Sequence, residues 1–522
     1  MQIYSFSPFG YEGALVAVEV DLRRGIPAID IVGLADGAVK ESRERMQAAI
    51  RNSNFDFPPE RVLISLSPAD LKKEGAGFDL PIAIGVLCAY AESRGEKDFL
   101  SEPLLIMGEL ELSGRIRPVK GIHAAVSTAA SCGIMHFIVP SQNADEAREV
   151  PGVQVYGADS LENAFCATKD QNFYEAKSSS KESCRLPPES VEIDGVYFTK
   201  VLPGYEFAEL KGQKQLIRAL QIAGAGGHNL LAMGSPGCGK TMAIQKFPAL
   251  NPLLTLEEAQ SVTRIWSLAG LIKPSEPLVR TPPFRIPHQT ATIEGICGGG
   301  TNCRPGEISL AHNGVLFLDE AAEFRTSVLQ MLRVPMENGS ITLSRAGRST
   351  NYPANFQLLM AVNPCPCGNF GSKSKICLCS SKSIEQYWKK FSAPLLDRID
   401  LRVFVENKSD QNEKEERPGL TTTEEIRKGI AKAVKTQRQR QGIKNARLSP
   451  REIQEICKID KNCQSILDKA VARYGFSPRA IASCLKVSRT IADIEGEKFI
   501  APEHMTEAIE FRKLCTNMIP EI

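Results

Sequence analysis

The stretch Gly234-Ser235-Pro236-Gly237-Cys238-Gly239-Lys240-Thr241 decides the fold of the region around it. It has the spacing G-x-x-x-x-G-K-[ST], follows the apolar run 228–233 and precedes a helical stretch that begins at Thr241. Glycines let backbone N–H groups turn towards phosphates, Lys240 can reach the terminal phosphates, and Thr241 offers a hydroxyl to Mg²⁺. The pattern predicts a phosphate loop that binds ATP, with a chance glycine-rich turn as the alternative.

Two carboxylates, Asp319 and Glu320, end a second apolar run. Carboxylates next to a buried strand are costly without a cation or a proton to accept. Asp319 suits coordination of Mg²⁺ through water, and Glu320 suits the base that orients the attacking water. The alternative is a pair of strand-end acids that cap the next helix. A third apolar run, 356–362, ends at Asn363, which could hold the water or contact the γ-phosphate.

Apolar periodicity divides the chain into an α/β fold with several domains. Strand-like and helical patterns alternate in two regions, polar segments follow each of them, and helical spacing dominates the last part. The predicted units are an α/β domain (1–168), a linker (169–195), an α/β domain with a mostly parallel sheet (196–406), a charged connector (407–419) and a helical lid (420–522).

Composition excludes several classes of protein. The 522 residues carry a net charge of only +2, so any nucleic-acid surface must be local or assembled from several copies. No basic segment followed by an apolar stretch begins the chain, and no run of about 18 apolar residues occurs, which predicts a cytoplasmic protein without a membrane partner. Fifteen cysteines do not suit a disulfide framework, and most are expected to be reduced core thiols, as at Cys88 and Cys484.

Three segments carry a resemblance to a known family: PGEISLAHNGVLFLDE at 305–320, NPCPCG at 363–368 and PLLDRIDL at 394–401. They resemble the magnesium-chelatase-like branch of AAA+ ATPases, and specifically the ComM/YifB family, over nearly the whole chain. The resemblance implies an AAA+ core with ATP and Mg²⁺ as cofactors. It also implies DNA branch migration during the integration of transforming DNA, on single-stranded or branched DNA.

The resemblance assigns roles to individual residues. Asn363 is implied as sensor 1, Arg398 as the arginine finger and Arg479 as sensor 2, while Lys211, Gly212 and Gln213 are similar to the motif that lines the adenine pocket. A finger that works in trans implies an active site between subunits of a homo-hexameric ring. The alternatives are an intramolecular pair of Arg398 with Asp397 or Asp400, and an ordinary helix-cap role for Arg479.

Two positions depart from the family pattern. Gln289 stands where the family usually has a second histidine after His288, and Asn313 stands where it usually has one after His312. The resemblance therefore carries over no role specific to the missing imidazoles, whereas the ATP residues match the family pattern.

Four cysteines form two pairs, Cys365 with Cys367 and Cys377 with Cys379. They could present four thiolates to one Zn²⁺. Structural zinc sites usually have two residues between paired cysteines rather than one, so unligated thiols in a reducing compartment are the alternative.

The segments 73–80, 108–115 and 118–123 resemble the Lon protease domain, which uses a Ser–Lys dyad. Matched residue by residue, the serine falls on Gly77 and the lysine on His123. Glycine carries no nucleophile, so peptide hydrolysis is not expected. The fold is more simply explained by reuse for interaction or DNA contact, with His123 as a surface or core histidine.

The segment 340–351 is similar to a hairpin that precedes sensor 1, and Arg345 and Arg348 in it could contact DNA phosphates in a central channel. Arginines on an ordinary exposed hairpin are the alternative.

A second function is a magnesium-chelatase-type ATPase subunit that drives metal insertion into a porphyrin, which the Lon-like domain and the cysteine pairs disfavour. A third, a scaffold with a degenerate motor, is disfavoured by the intact ATP residues.

Overall fold

The structure is a computed structural model in which the described residues are 1–33, 37–69, 71, 73, 75–96, 98–176, 186–187, 189–210, 212–300, 302–345, 348–371, 375–405 and 422–513. The predicted connector 407–419 and Lys211 lie outside these residues, as does part of the predicted linker 169–195. The predicted fold class is confirmed, since the chain is mixed α/β with a parallel sheet and a helical carboxy-terminal region.

A sheet of eight strands forms the first unit. Its strands, with the β6–β7 hairpin beside it, are β1 (Ile3–Ser7), β2 (Ala14–Arg23), β3 (Ile29–Val32), β4 (Arg61–Ser67), β5 (Leu104–Ile106), β6 (Glu109–Leu110), β7 (Ile116–Arg117), β8 (His136–Pro140), β9 (Gln154–Ala158) and β10 (Glu175–Ala176). The order in the sheet is β10-β9-β8-β5-β1-β2-β4-β3. Strand β10 thus continues this sheet beyond residue 168.

Five helices cover this sheet: α1 (Gly37–Asn52), α2 (Asp79–Ser93), α3 (Ile122–Ser131), α4 (Ala144–Arg148) and α5 (Leu161–Ala167). Alternation places Val62, Ile64 and Leu66 of β4 in the core, as expected of a strand with one buried face. Within the described residues, the stretch Ala76–Ser93 is the one that could cross a membrane by length and hydropathy, but 67% of it is buried, as in the core helix of a soluble protein.

A parallel sheet of five strands forms the second unit. The strands of this unit, three small hairpins included, are β11 (Val191–Ile193), β12 (Val196–Phe198), β13 (Leu230–Gly234), β14 (Phe284–Arg285), β15 (Gly298–Gly299), β16 (Arg304–Pro305), β17 (Val315–Leu318), β18 (Ser340–Arg345), β19 (Arg348–Pro353), β20 (Gln357–Val362) and β21 (Leu401–Val405). Strands β13, β17 and β20 are buried at every position, as expected where helices cover both faces of a parallel sheet.

The helices of the second unit are α6 (Lys214–Gly226), α7 (Lys240–Gln245), α8 (Leu256–Ala269), α9 (Ile293–Cys297), α10 (Glu307–Leu310), α11 (Thr326–Met331), α12 (Arg333–Asn338), α13 (Ser381–Lys389) and α14 (Ala393–Leu396). The strand order is β14-β17-β20-β13-β21, so the chain leaves β13 towards one side of the sheet and later reaches β21 on the other side. The region beside β13 is therefore a topological switch point. Ligands of open α/β sheets bind outside the carboxyl ends of the strands at such a switch point. The segments after β13, β17 and β20 therefore meet where a ligand is expected.

Helices alone make up the carboxy-terminal part of the described chain: α15 (Thr423–Arg440), α16 (Pro450–Ile456), α17 (Lys461–Tyr474), α18 (Pro478–Glu495) and α19 (Pro502–Lys513). Capping boxes start α15 at Thr422 and α16 at Ser449. Helix α15 packs on α6, which joins the helical part to the second unit.

The first unit docks on helix α8 of the second unit. The Arg264 guanidinium donates hydrogen bonds to the carbonyl oxygens of Tyr11 and Glu12 and to the Thr128 hydroxyl, at 2.7 to 3.2 Å. The Tyr11 amide donates to the Thr350 hydroxyl of β19 at 3.1 Å, so the first unit also contacts the β18–β19 hairpin.

Candidate nucleotide site

The predicted phosphate loop joins strand β13 to helix α7. Gly237 and Gly239 adopt φ angles of 79° and 82°, the left-handed region that favours glycine. A Cβ atom on Gly239 would lie 2.3 Å from the Gln213 side-chain nitrogen, so the close approach also requires glycine. The tight turn is thus fixed by the glycine spacing that the motif provides.

Lys240 is buried at the base of this loop. Its ammonium donates to the carbonyl oxygens of Gly234 at 2.6 Å and Ser235 at 3.0 Å, and it lies 3.4 Å from the Asn363 side-chain oxygen. The loop after β13 and the asparagine after β20 are therefore in contact, as the strand order predicts.

Thr241 and Asp319 meet beside the carboxyl ends of the strands, which we call the carboxyl edge of the sheet. The Thr241 hydroxyl donates to the Asp319 carboxylate at 2.9 Å, and that carboxylate also accepts the Glu320 amide at 3.0 Å. A hydroxyl and a carboxylate side by side are oxygen ligands of the kind that Mg²⁺ takes in phosphate-transfer sites. The donor set fits this ion.

Glu320 adopts a φ angle of 48°, and its carboxylate accepts a hydrogen bond from the Gln289 side-chain amide at 2.6 Å. Gln289 follows β14, the edge strand beside β17. Sequence reasoning noted Gln289 only as a departure from a family pattern and missed this contact. Knowledge of the strand order would have placed the segments after β14 and β17 side by side.

Gln213 lies against the other side of the phosphate loop, where its side-chain amide donates to the Cys238 carbonyl oxygen. Gly212 precedes it with a φ angle of 72°. The residues that the structure gathers at this edge are Gly212, Gln213, Gly234, Ser235, Pro236, Gly237, Cys238, Gly239, Lys240, Thr241, Asp319, Glu320 and Asn363.

Arg398 and Arg479 meet at a different place, on Glu337 of helix α12. Each guanidinium donates to a separate oxygen of the Glu337 carboxylate, from Arg479 at 2.9 Å, and Arg398 also donates to the Pro394 carbonyl oxygen at 2.6 Å. These hydrogen bonds, from Arg398 first and Arg479 second, lower the pKa of the Glu337 carboxyl. Glu337 carries no motif and was missed by sequence reasoning.

The sheet separates these arginines from the phosphate loop. Arg398 precedes β21, which runs parallel to β13 with Leu230 opposite Leu401 and Gly234 opposite Val405. Arg398 therefore lies before the amino end of the strand pair and the loop follows the carboxyl end. Five residues of strand span about 13 Å. Arg398 thus lies beside the amino ends of the strands, which we call the amino edge of the sheet, and the phosphate loop of its own chain lies at the carboxyl edge.

An intramolecular partner of Arg398 was one of the alternatives, but the partner differs from those expected. Asp397 accepts hydrogen bonds from Arg512 at 2.8 Å and from the Ser477 hydroxyl at 3.1 Å. Asp400 lies 3.2 Å from the His228 ring and accepts from the Ser483 hydroxyl. Both aspartates are engaged elsewhere, and among the described residues Glu337 is the one that supplies a carboxylate to Arg398.

His312 is a buried hydrogen-bonding residue at the amino edge of the sheet. Its Nδ1 accepts the Asn355 amide at 3.1 Å, so Nε2 carries the proton and donates to the Ser261 hydroxyl at 2.9 Å. Burial lowers its pKa to about 4, which keeps the ring neutral. Asn313 adopts a φ angle of 52°, a conformation that asparagine tolerates well.

The four paired cysteines form one cluster. The sulfur atoms lie 3.3 Å apart for Cys365 and Cys367, 3.7 Å for Cys365 and Cys377, and 3.6 Å for Cys367 and Cys377, and all four lie within 4.8 Å of one another. Disulfide bonds are far shorter, at about 2.05 Å. Tetrahedral Zn–S bonds of about 2.3 Å place sulfurs about 3.8 Å apart, so the cluster fits a zinc ion.

The two positions that match the Lon dyad have separate surroundings. His123 is buried against α8, with Nε2 lying 2.6 Å from the Gln260 side-chain oxygen, and burial lowers its pKa to about 4. A Cβ on Gly77 would meet Met107 and Val119 at ordinary contact distance. The histidine position thus serves the docking of the first unit.

Within the segment 340–351, the described residues belong to strands β18 and β19, which pair antiparallel with Arg345 opposite Arg348 in the register. The side chains of both arginines lie outside the described part of the structure. Their predicted contact with DNA stays a prediction.

Three family models match the chain. Residues 18–143 match "Subunit ChlI of Mg-chelatase", residues 206–413 match "Magnesium chelatase, subunit ChlI", and residues 420–512 match "Magnesium chelatase, subunit ChlI C-terminal".

Similar proteins cover the chain to different extents. The competence protein ComM of Haemophilus influenzae is 37% identical over 98% of this chain and 97% of its own length, and YifB of Escherichia coli shares the same identity and coverage. The magnesium-chelatase 38 kDa subunit of Cereibacter sphaeroides is 26% identical over 31% of this chain and 53% of its own. The chain therefore belongs to the ComM/YifB family of magnesium-chelatase-like AAA+ proteins.

Proposed function

We propose that this chain is an ATP-hydrolysing motor that works as a homo-hexameric ring in the cytoplasm. Its substrate is single-stranded or branched DNA, and its activity is branch migration during the recombination of transforming DNA. The separation of the phosphate loop from the arginine pair, at opposite edges of one sheet, is the observation that carries the proposal.

The carboxyl edge supplies the groups that bind the nucleotide. The Lys240 ammonium donates to carbonyl oxygens of the phosphate loop and can exchange them for phosphate oxygens, because both kinds of oxygen accept hydrogen bonds. Thr241 and Asp319 hold Mg²⁺, which neutralises charge on the phosphates. Glu320 orients the attacking water, and Asn363, next to Lys240, contacts the γ-phosphate side of the site.

The amino edge supplies the arginines. Because Arg398 lies across the sheet from its own phosphate loop, it can reach a γ-phosphate only on a neighbouring copy. Arg479 shares Glu337 with it, so both arginines face the same neighbour. Glu337 holds the two guanidinium groups until phosphate oxygens compete for them. Each site is therefore completed by the next subunit, as a closed ring requires.

Two observations support DNA as the substrate: the β18–β19 hairpin and the similarity to a competence protein. The hairpin of strands β18 and β19 would place Arg345 and Arg348 of six copies around a channel, which concentrates positive charge from a chain with a net charge of +2. The relative from Haemophilus influenzae is named a competence protein, and the match covers 98% of this chain and 97% of that relative.

We also propose that Cys365, Cys367, Cys377 and Cys379 hold one Zn²⁺, since four sulfurs within 4.8 Å match a tetrahedral thiolate site. Bound zinc would supply a fixed cross-link between the two cysteine pairs.

A magnesium-chelatase-type ATPase is the competing function. The Lon-like amino-terminal region was expected to disfavour the chelatase, but it does not separate the two functions, because residues 18–143 match a model named for the chelatase subunit. Extent of similarity favours the DNA motor, since the chelatase relative covers only 31% of the chain.

The test is ATP hydrolysis by the purified chain with forked DNA, with a three-strand junction and with a porphyrin. The proposal expects stimulation by DNA and movement of the junction, whereas stimulation by porphyrin alone would favour the chelatase. Glu320→Gln should bind ATP and lose hydrolysis by about a hundredfold or more. Glu323→Gln, an exposed glutamate nearby, is the matched control.

A further inference from the structure

The cysteine cluster lies directly beside the proposed nucleotide site. Asn363 ends the run from β20, and Pro364 alone separates it from Cys365. Cys365 is fully buried, whereas Cys367 is exposed and Cys377 and Cys379 are half-buried. The cluster therefore begins in the core, two residues after the asparagine that contacts Lys240.

The turn from Cys365 to Gly368 packs on the phosphate loop itself. A Cβ atom on Gly368 would lie 2.4 Å from Cδ and 2.7 Å from Cγ of Pro236. Gly368 also has a φ angle of 78°, in the left-handed region. Because the proline ring has little freedom, movement of this turn changes the packing of the phosphate loop.

Hydrogen bonds fasten the core side of the turn. The indole N–H of the fully buried Trp388 donates to the Pro364 carbonyl oxygen at 3.0 Å, and the Gly368 amide donates to the Cys365 carbonyl oxygen at 2.9 Å. The Phe370 amide lies 3.3 Å from the Cys365 sulfur. On the outer side of the turn, the sulfur atom of Cys367 lies close to those of Cys377 and Cys379, which come about ten residues later in the chain.

We infer that metal binding by this cysteine cluster and nucleotide binding by the phosphate loop are thermodynamically coupled. This inference rests on the proposed function. A metal ion held by the four thiolates keeps the Cys365–Gly368 turn against Pro236, and the loop then keeps the conformation that accepts phosphates. Coupling between two sites is reciprocal, so the nucleotide also strengthens metal binding.

Repulsion between the cysteine thiolates explains why the cluster needs a metal ion. Four thiolates within 4.8 Å repel one another when no cation lies between them, and neutral thiols make only weak hydrogen bonds. Without the ion, Cys377 and Cys379 have no strong link to Cys367, so the outer half of the turn is released. The inner half stays fixed through Trp388.

The experiment measures the dissociation constant of a fluorescent ADP analogue for the full chain, loaded with Zn²⁺ or depleted with a chelator. Bound zinc is counted in each sample. We expect depletion to weaken the nucleotide by about tenfold, a value within the usual range of coupling, and Zn²⁺ to restore it. Cys367→Ser should behave like depleted protein, and Cys132→Ser, an exposed cysteine outside the cluster, like loaded protein.

A second variant keeps the test valid if depleted protein unfolds. Gly368→Ala retains all four cysteines but places a methyl group into Pro236, so we expect normal zinc content and weaker nucleotide binding. Gly442→Ala is the matched control, since Gly442 has a φ angle of 77° and open space around it. It should bind nucleotide normally.

Equal affinity in loaded and depleted protein would overturn the coupling and leave the proposed function standing. So would normal affinity in Gly368→Ala. Failure of loaded, folded protein to bind the ADP analogue at all would overturn the proposed function and the coupling with it.

Discussion

The two edges of the five-stranded sheet hold their polar residues in different ways. At the carboxyl edge, Lys240, Thr241, Asp319 and Asn363 contact one another or the phosphate loop within one chain. At the amino edge, Arg398 and Arg479 contact only Glu337 among the acidic side chains described here. Under the proposed function, the nucleotide would be bound by one chain alone, whereas the arginine contribution would need a second copy.

The largest expected effect is on hydrolysis. Arg398→Ala should leave nucleotide affinity nearly unchanged and lower kcat by about a thousandfold, because an arginine finger stabilises charge that develops only in the transition state. Steady-state ATPase assays and equilibrium nucleotide binding check this. Arg451→Ala, whose side chain is 89% exposed, is the control. A loss of affinity equal to the loss of rate would place Arg398 in ground-state binding instead.

The next effect is on binding. Lys240→Ala should weaken ATP by about a hundredfold, since it removes hydrogen bonds between two charged groups. Titration with a fluorescent nucleotide measures it, and Lys389→Ala, on an exposed helix face, is the control. Unchanged affinity would contradict the assignment of the carboxyl edge as the nucleotide site.

A smaller effect is expected at Gln289. Its amide holds the Glu320 carboxylate at 2.6 Å, so Gln289→Ala should free that carboxylate and raise basal hydrolysis by about fivefold. Gln289→His keeps a hydrogen-bond donor and should stay near the unsubstituted rate. ATPase assays without DNA decide it, and a fall in rate for the alanine variant would show that Gln289 positions Glu320 productively.

The smallest effect is on stability. Glu337→Gln should lower the free energy of unfolding by at most about 1 kcal/mol, because Glu337 is half exposed. Since the folded pKa of Glu337 is lowered, this contribution is present above its unfolded pKa of about 4.3 and is lost as pH falls through the folded value. Urea unfolding at pH 7 and pH 3 measures it. An equal effect at both values would exclude the ion pair as its cause.

Local motifs predicted one edge well and the other poorly. Lys240, Thr241, Asp319, Glu320 and Asn363 each follow an apolar run, and parallel strands bring their carboxyl ends together, so the sequence located their meeting place. Arg398 and Arg479 were named only through a family resemblance. Their common partner Glu337 lies in a helix without any motif, and such long-range contacts leave no periodic signal.

Contacts between the two units also could not be predicted from the sequence. His123 was expected as a surface or core histidine, but its contact with Gln260 depends on how the first unit packs on the second. The contact of Gly368 with Pro236 depends on two loops that lie far apart in the chain. In both cases the reason for the residue type becomes clear only when the helix or loop that packs against it is known.

The most direct test of a site shared between copies is a mixing experiment. Lys240→Ala protein keeps the arginines, and Arg398→Ala protein keeps the phosphate loop, so each should be inactive alone. We predict that mixing them restores part of the ATPase activity, with a maximum near equal amounts. No recovery at any ratio, with mixed assembly verified, would contradict the account.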